Sequence, residues 1–109
     1  MSAAIRRMAI LHTLCYCRQI TIQQLASKYQ VCPRTIRYDI EALSPHYPIE
    51  TVRGRYGGCV RLAEGYVPSK CLLSPAQMEF LLNWAQILNG KDEMMLMSII
   101  QVLVPPAMA

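Results

Sequence analysis

Four side chains that can bind nucleic acid lie close together in the segment VCPRTIRYDIEAL, residues 31–43. Arg34 and Arg37 carry guanidinium groups, whose fork of donors matches the edge of guanine and the phosphate group. Thr35 and Tyr38 add hydroxyl groups that suit phosphate oxygens. A helix dipole favours acidic residues near the amino end, so the dipole does not explain these arginines. Their placement indicates a negatively charged partner.

The same segment has the pattern of a helix that packs on a core with one side. Pro33 suits the first position of a helix. Ile36, Ile40 and Leu43 then recur at spacings of four and three residues, which places them on one face. Because two prolines follow soon afterwards, we predict a helix over residues 33–44.

Two further helices are predicted ahead of this segment. Ser2 can cap a first helix that runs to about residue 17, and Thr21 with Gln24 forms a capping box that opens a second helix. Only residues 30–32 separate the second helix from the third. This spacing is that of a helix-turn-helix, whose second helix enters the major groove of DNA.

The sequence changes character after the third helix. IETVRGRYGGCVRL, residues 49–62, has β-branched residues on both sides of a glycine-rich centre and predicts a β-hairpin. No helix follows the glycines directly, and the lysine of a phosphate-binding loop is missing, so a nucleotide site is not indicated. Arg53, Arg55 and Tyr56 lie near the hairpin tip, where they can contact the minor groove or a phosphate. The alternative is that the hairpin only closes a sheet.

The remaining sequence predicts a helical hairpin. Ser74 and Gln77 form a second capping box, followed by a helix with a single apolar stripe that ends at Asn89-Gly90. A fifth helix is apolar nearly all round over residues 94–104, and one partner helix cannot cover so much apolar surface. We therefore expect a homodimer. Its predicted contacts are four residues of the fifth helix: Met95, Ile99, Val102 and Leu103.

Together these elements predict a fold that is mainly α with a small β-hairpin, a winged helix-turn-helix followed by a C-terminal helical hairpin. We expect a DNA-binding domain at residues 1–68 and a dimerising helical hairpin at residues 69–109. Charge follows this division. Residues 1–70 carry ten Lys/Arg against four Asp/Glu, a net charge of +6, whereas residues 71–109 carry one against three, a net charge of −2.

Composition excludes several classes of protein. A hydrophobic fraction of 53% with 17% charged residues indicates a folded chain. Five cysteines without a secretory signal indicate reduced thiols, and no C-x-x-C pair or zinc-ligand spacing is present, so no metal site is predicted. The apolar run at residues 94–104 is shorter than the roughly 20 residues that span a bilayer. We expect a soluble cytoplasmic protein that is not an enzyme, has no cofactor and shows no evident small-molecule ligand.

The segment ITIQQLASKYQVCPRTIRYDIEAL, residues 20–43, resembles the helix-turn-helix of DeoR-type bacterial transcription regulators, whose recognition helix reads VSxxTIRRDIxxL. Seven positions match as they stand: Val31, Thr35, Ile36, Arg37, Asp39, Ile40 and Leu43. The predicted hairpin is similar to the wing of related regulators that carry a WYL domain, and LLSPAQMEFLL to the segment after that wing. Cys32 and Tyr38 depart from the pattern, where serine and arginine are usual. Members of the family usually continue into a ligand-sensing domain. The segments that carry the resemblance do not include such a domain, so effector binding is not carried over to this chain.

The predicted function is sequence-specific binding of double-stranded DNA by a small homodimeric transcription regulator. The helix at 33–44 would lie in the major groove, and the wing at 49–62 on the backbone or in the minor groove. Two alternatives stay open. One is a protein-interaction module, in which the arginines form a solvated face with ion pairs such as Arg37 with Glu41. The other is an architectural or excision-type factor of a mobile element, which bends DNA.

Overall fold

The computed structural model describes residues 2–17, 19–54, 58–63 and 74–103, with only the backbone for 101–103. Its elements follow in chain order: α1 (Ala3–Cys17), β1 (Gln19–Thr21), α2 (Ile22–Tyr29), α3 (Pro33–Leu43), β2 (Ile49–Val52), β3 (Cys59–Leu62), α4 (Pro75–Ala85) and α5 (Gly90–Leu103). The protein is mostly helical with a small antiparallel sheet. The predicted winged helix-turn-helix with C-terminal helices is confirmed. The predicted boundary after residue 68 lies outside the described residues.

The sheet has three strands in the order β1-β3-β2, and both pairings are antiparallel. β2 and β3 form the predicted hairpin. β1 was not predicted, because three residues are too few to show alternation and its partner lies far along the chain. Val60 of β3 pairs with Ile20 on one side and Thr51 on the other, so β1 ties the wing to the start of α2.

A first hydrophobic core holds the helix-turn-helix together. Its centre is formed by fully buried side chains from α1, α2, α3 and β3: Leu11, Leu14, Leu25, Ile36 and Val60. Each such side chain stabilises the fold by about 1.5–3 kcal/mol relative to an exposed one. Since every element of the helix-turn-helix and the wing contributes to this cluster, the recognition helix cannot shift without disturbing the wing.

A second core joins α4 and α5 to the amino-terminal half of α1. Ile5 and Ala9 of α1 pack there with Met78, Leu82 and Ile100. α1 therefore contributes to both cores, with different residues on different turns. This shared helix connects the C-terminal helical pair to the helix-turn-helix and the wing.

α4 carries a second apolar stripe that the sequence analysis missed. The predicted stripe, which includes Met78 and Leu82, is buried on α1. Phe80 and Trp84, four residues apart on the opposite side of α4, and Ile87, just after the helix, are 48–71% exposed. Their spacing is itself a helical signal.

None of the helices in the described ranges is long and apolar enough to cross a membrane.

Both predicted capping boxes are formed, but α3 begins without a side-chain cap. Thr21 Oγ1 accepts from Gln24 N at 3.0 Å, and Ser74 Oγ accepts from Gln77 N at 3.2 Å. Cys32 occupies the N-cap position of α3 with extended backbone, φ −77° and ψ 156°, yet its side chain makes no capping hydrogen bond. A thiol is a weak acceptor, and the N–H of Thr35 donates to the Cys32 carbonyl oxygen at 3.0 Å, so α3 begins without a side-chain cap.

Cys32→Ser is therefore expected to stabilise the fold. A serine hydroxyl at this backbone geometry can accept from the N–H of Thr35, the third residue of α3. We expect the midpoint of thermal unfolding, followed by circular dichroism, to rise by a few degrees. Cys17→Ser is the matched control, because Cys17 is exposed and ends α1. An unchanged midpoint for Cys32→Ser would show that the missing cap costs nothing.

Candidate nucleic-acid interface

The turn between α2 and α3 sets the angle of the recognition helix. Gln30 ends α2 in the left-handed conformation, with φ 56° and ψ 47°, and its N–H donates to the carbonyl groups of Ala26 and Ser27. Val31 N then donates to the Ala26 carbonyl oxygen at 3.0 Å. Pro33 starts α3 directly afterwards. These bonds close the end of α2 in the manner of a left-handed helix C-cap and reverse the chain within three residues.

α3 has one buried side and one exposed side, as predicted. Ile36, Ile40 and Leu43 are at most 5% exposed and pack in the first core. Arg34 and Arg37 are exposed on the other side, next to Tyr38, which is 57% exposed. A tyrosine ring held this far out in water contributes little to the core. The exposed side therefore combines two guanidinium groups with an aromatic ring and its hydroxyl.

Thr35, the fourth predicted contact on α3, is only half-buried and lies at the edge of this face. Its Oγ1 is 3.2 Å from Cys32 Sγ. This hydrogen bond, with those of nearby backbone groups, lowers the pKa of the Cys32 thiol. Thr35 therefore has a local partner, and its hydroxyl shares its hydrogen bonding between Cys32 and any bound phosphate.

A cleft of about 370 Å³ separates α3 from the wing, and it brings two predicted DNA contacts together. Arg37 lines it from α3 and Arg53 from the end of β2. Gly58 closes the hairpin with φ +90°, where a Cβ would lie 2.9 Å from the Val52 carbonyl oxygen, so only glycine fits. The other two wing residues of the prediction, Arg55 and Tyr56, lie outside the described residues.

The exposed arginines of α3 have no acidic partner within the described part of the chain. The alternative ion pair between Arg37 and Glu41 is not formed there, although both side chains line the cleft. Arg34 likewise forms no ion pair with a described residue. Both guanidinium groups keep their donors for another partner.

The sequence analysis missed a buried ion cluster behind α3. The Asp39 side chain is 1% exposed and accepts from Arg6 Nε at 2.5 Å and from Arg6 Nη2 at 3.0 Å. Arg7 Nε donates to the same carboxylate at 3.0 Å. The pairing with Asp39 raises the pKa of the Arg6 guanidinium. Asp39 lies among Ile36, Ile40 and Leu43 on the apolar side of the helix. An acidic residue within an apolar stripe was the sequence signal that could have predicted a buried ion pair.

Arg6 and Arg7 of α1 are therefore both paired with Asp39 of α3. The cluster joins the first turns of α1 to the middle of α3, and its geometry with Arg6 is bidentate. Bidentate pairing fixes the orientation of the Arg6 guanidinium group relative to the Asp39 carboxylate as well as the distance between them. It holds the side of α3 opposite Arg34 and Arg37, and so determines how far those side chains project.

Comparison with known proteins agrees with this arrangement. A family model described as the DeoR-like helix-turn-helix domain matches residues 6–62, just over half of the chain. The chain belongs to the DeoR-like helix-turn-helix family. Such domains bind DNA, and transcription regulation is the function typical of the family. The chain has no significant match among curated proteins or among solved structures.

The match covers the DeoR-like domain from Arg6 to Leu62 and leaves out α4 and α5. It includes both ends of the Asp39 cluster, the recognition helix and the wing. Within the described residues, no group of three or more His, Cys, Asp and Glu side chains is placed to hold a metal ion. The basic face of α3 is thus the feature of the DeoR-like domain with the clearest chemistry.

Asp39→Asn is expected to lower the free energy of unfolding by about 2–3 kcal/mol, because a buried charged acceptor for two arginines is lost. Urea denaturation followed by circular dichroism measures this change. Glu50→Gln is the control. It breaks the Arg61–Glu50 pair, whose side chains are 46% and 45% exposed, and surface pairs contribute about 0–1 kcal/mol. Equal losses for the two variants would contradict a special role for Asp39.

Proposed function

We propose that this protein is a sequence-specific, double-stranded DNA-binding transcription regulator that acts as a homodimer. The observation that carries the proposal is the exposed face of α3, where Arg34, Arg37 and Tyr38 project while Ile36 and Asp39 anchor the opposite side. A helix whose exposed guanidinium groups have no acidic partner among the described residues suits the major groove.

Each residue of this face has a distinct role in the proposal. Arg34 and Arg37 lie on the first turns of α3, from which helix-turn-helix proteins reach base edges, and their forks match guanine O6 and N7. Thr35 and Tyr38 contact phosphate oxygens through their hydroxyl groups. This division makes the arginines the source of sequence preference.

The wing acts on the DNA backbone or in the minor groove. Arg53 lines the same cleft as Arg37, so a duplex held by α3 would come close to the wing. Arg55 and Tyr56 are the remaining wing contacts of the proposal. Contacts of this kind add affinity that depends on salt and little on sequence.

A second copy of the chain would cover the apolar surface of α4 and α5. We define this surface by six large side chains that are 46–74% exposed: Phe80, Trp84, Ile87, Met94, Met95 and Ile99. The rings of Phe80 and Trp84 meet edge to face at 6.4 Å, which holds them in place. An exposed cluster of this size is typical of a partner site.

The dimer proposal includes all four residues predicted from the sequence. Met95 and Ile99 are 65% and 46% exposed, in agreement with a contact role, while the side chains of Val102 and Leu103 lie outside the described part. Symmetry gives this surface a function in DNA binding. A two-fold dimer can set two recognition helices about 34–36 Å apart, one turn of DNA, and so double the contacts.

Selection of bound duplexes from a random DNA pool tests the function. We expect an inverted repeat with half-sites about one helical turn apart. Enrichment of no sequence would contradict sequence-specific binding and would favour a protein-interaction module. A bound site that is strongly bent in gel-mobility assays, without a repeat, would favour an architectural factor.

The same selected site separates the roles of α3 and the wing. We expect Arg37→Ala to weaken binding by about 1–3 kcal/mol and to relax preference at one base pair, because a bidentate base contact is lost. Arg55→Ala should weaken binding to every duplex and reduce the salt dependence. Arg61→Ala is the control, since its guanidinium is already paired with Glu50 at 2.9 Å. If Arg37→Ala lowers affinity equally for all sequences, α3 does not read bases through Arg37.

Met95→Asp with Ile99→Asp is expected to produce a monomer, because it places two charges in the apolar surface of α4 and α5. Analytical ultracentrifugation measures the mass, and circular dichroism checks that the winged helix stays folded. Affinity should fall for the full site and stay unchanged for a single half-site. Gln86→Glu, exposed just after α4 and outside the apolar surface, is the control for added charge. A wild-type monomer at micromolar concentration would refute the dimer.

A further inference from the structure

A cavity of about 260 Å³ lies between α1, α2 and α4, away from the basic face of α3. We call it the α4 pocket and define it by six of its lining residues: Thr13, Tyr16, Lys28, Tyr29, Glu79 and Leu82. At roughly 30 Å³ for each water, it has room for about nine waters or a molecule of about ten non-hydrogen atoms. This is slightly smaller than the pockets of drug-sized ligands, which begin at about 300 Å³.

A hydrogen-bond network holds a cation at one wall of the α4 pocket. Thr13 Oγ1 donates to the Ala9 carbonyl oxygen at 3.0 Å, so its single proton is used. Tyr29 OH, 3.0 Å away, must then donate to Thr13 Oγ1, and Lys28 Nζ donates to the same oxygen at 3.4 Å. Burial raises the pKa of Tyr29, which keeps its proton in place.

This network leaves the Lys28 ammonium partly unused. The ammonium group has three N–H donors, one of which donates to Thr13 Oγ1. Its Nζ also lies 5.8 Å from the centre of the Tyr29 ring. Lys28 forms no ion pair with any described carboxylate. Two donors of a positioned cation are thus available to a ligand carboxylate.

The opposite wall offers a carboxylate above an apolar floor. Met78 and Leu82 of α4 are buried and line the cavity, and Glu79 stands beside them, exposed at the opening. Glu79 forms no ion pair with a described residue, and so none with Lys28. The lining of the α4 pocket therefore contains an ammonium group and a carboxylate that are not in ion-pair contact, together with the apolar side chains of Met78 and Leu82.

We propose that the α4 pocket binds a small zwitterion, a free amino acid with an apolar side chain. Its carboxylate would accept from Lys28, its ammonium group would pair with Glu79, and its side chain would lie on Met78 and Leu82. A simple anion would be repelled by Glu79 and a simple cation by Lys28, so the pair of charges favours a ligand that carries both.

This site also provides a route to regulation, a point that rests on the proposed function. A ligand that touches α1, α2 and α4 together stabilises one placement of α4 against the helix-turn-helix. The pocket and the exposed Phe80 and Trp84 lie on different faces of α4, so the ligand can change the dimer geometry without competing for the dimer contact. Binding of the amino acid therefore changes affinity for the DNA site.

Nuclear magnetic resonance of the ¹⁵N-labelled full chain tests the pocket without DNA. The probes are L-leucine and L-methionine, each with its deaminated acid and its amide as matched controls that are no larger than the amino acid. We expect at least one free amino acid to shift the amide signals of Thr13, Tyr29 and Asn83 to saturation. Each control, which lacks one charge, should bind at least about tenfold more weakly, as expected for loss of a charge-assisted hydrogen bond.

Two variants and one control assign the charges. Lys28→Met and Glu79→Gln change exposed side chains, and each should weaken amino-acid binding at least about tenfold. Lys91→Met on α5, outside the pocket, should leave it unchanged. Absence of a saturable shift with both amino acids, or equal binding of a deaminated acid or an amide, would overturn the zwitterion site.

Affinity for the selected DNA site, measured with saturating amino acid, tests the regulatory step separately. We expect a change of about fivefold or more that disappears in Lys28→Met. Amino-acid binding with unchanged DNA affinity would retain the site and refute the regulation. Amino-acid binding by a chain that selects no DNA sequence would refute the proposed function and leave the zwitterion site standing.

Discussion

The carboxylate of Asp39 is buried between α3 and α1, where the guanidinium groups of Arg6 and Arg7 compensate its charge. An uncompensated charge at this depth would cost several kcal/mol, so the folded chain must bring these three residues together. That requirement fixes the recognition helix against α1 from behind. The exposed side of α3 carries Arg34 and Arg37. α3 thus combines a buried charge that fixes its position with exposed charges to which the proposed function assigns DNA binding.

α1 is the element through which this constraint reaches the rest of the molecule. Its first turns carry Arg6 and Arg7, and its turns contribute Ile5 and Ala9 to one core and Leu11 to the other. A change in the packing of α4 and α5 must therefore act on the helix that holds α3. The proposed dimer surface, the α4 pocket and the proposed DNA-binding face all lie on elements that pack against α1.

The helices of both parts of the chain were predictable because their signals are local. Capping boxes at Thr21 and Ser74, proline at position 33 and the spacing of Ile36 and Ile40 each act within one or two turns. The exposed arginines of α3 followed from the same periodicity. β1 was not predictable in this way, because its strand exists only through pairing with β3.

By itself the sequence determined the order of helices and hairpin and the basic face of α3, both of which depend on neighbours along the chain. Only the tertiary structure decided that Asp39 binds Arg6 and Arg7, that Arg37 and Arg53 share a cleft, and that Lys28 and Glu79 face one pocket. The partners in these contacts are between 16 and 51 residues apart in the chain. The periodicity of a sequence does not reveal contacts between residues so far apart in the chain, because charge pairs and cavities form only when the helices pack.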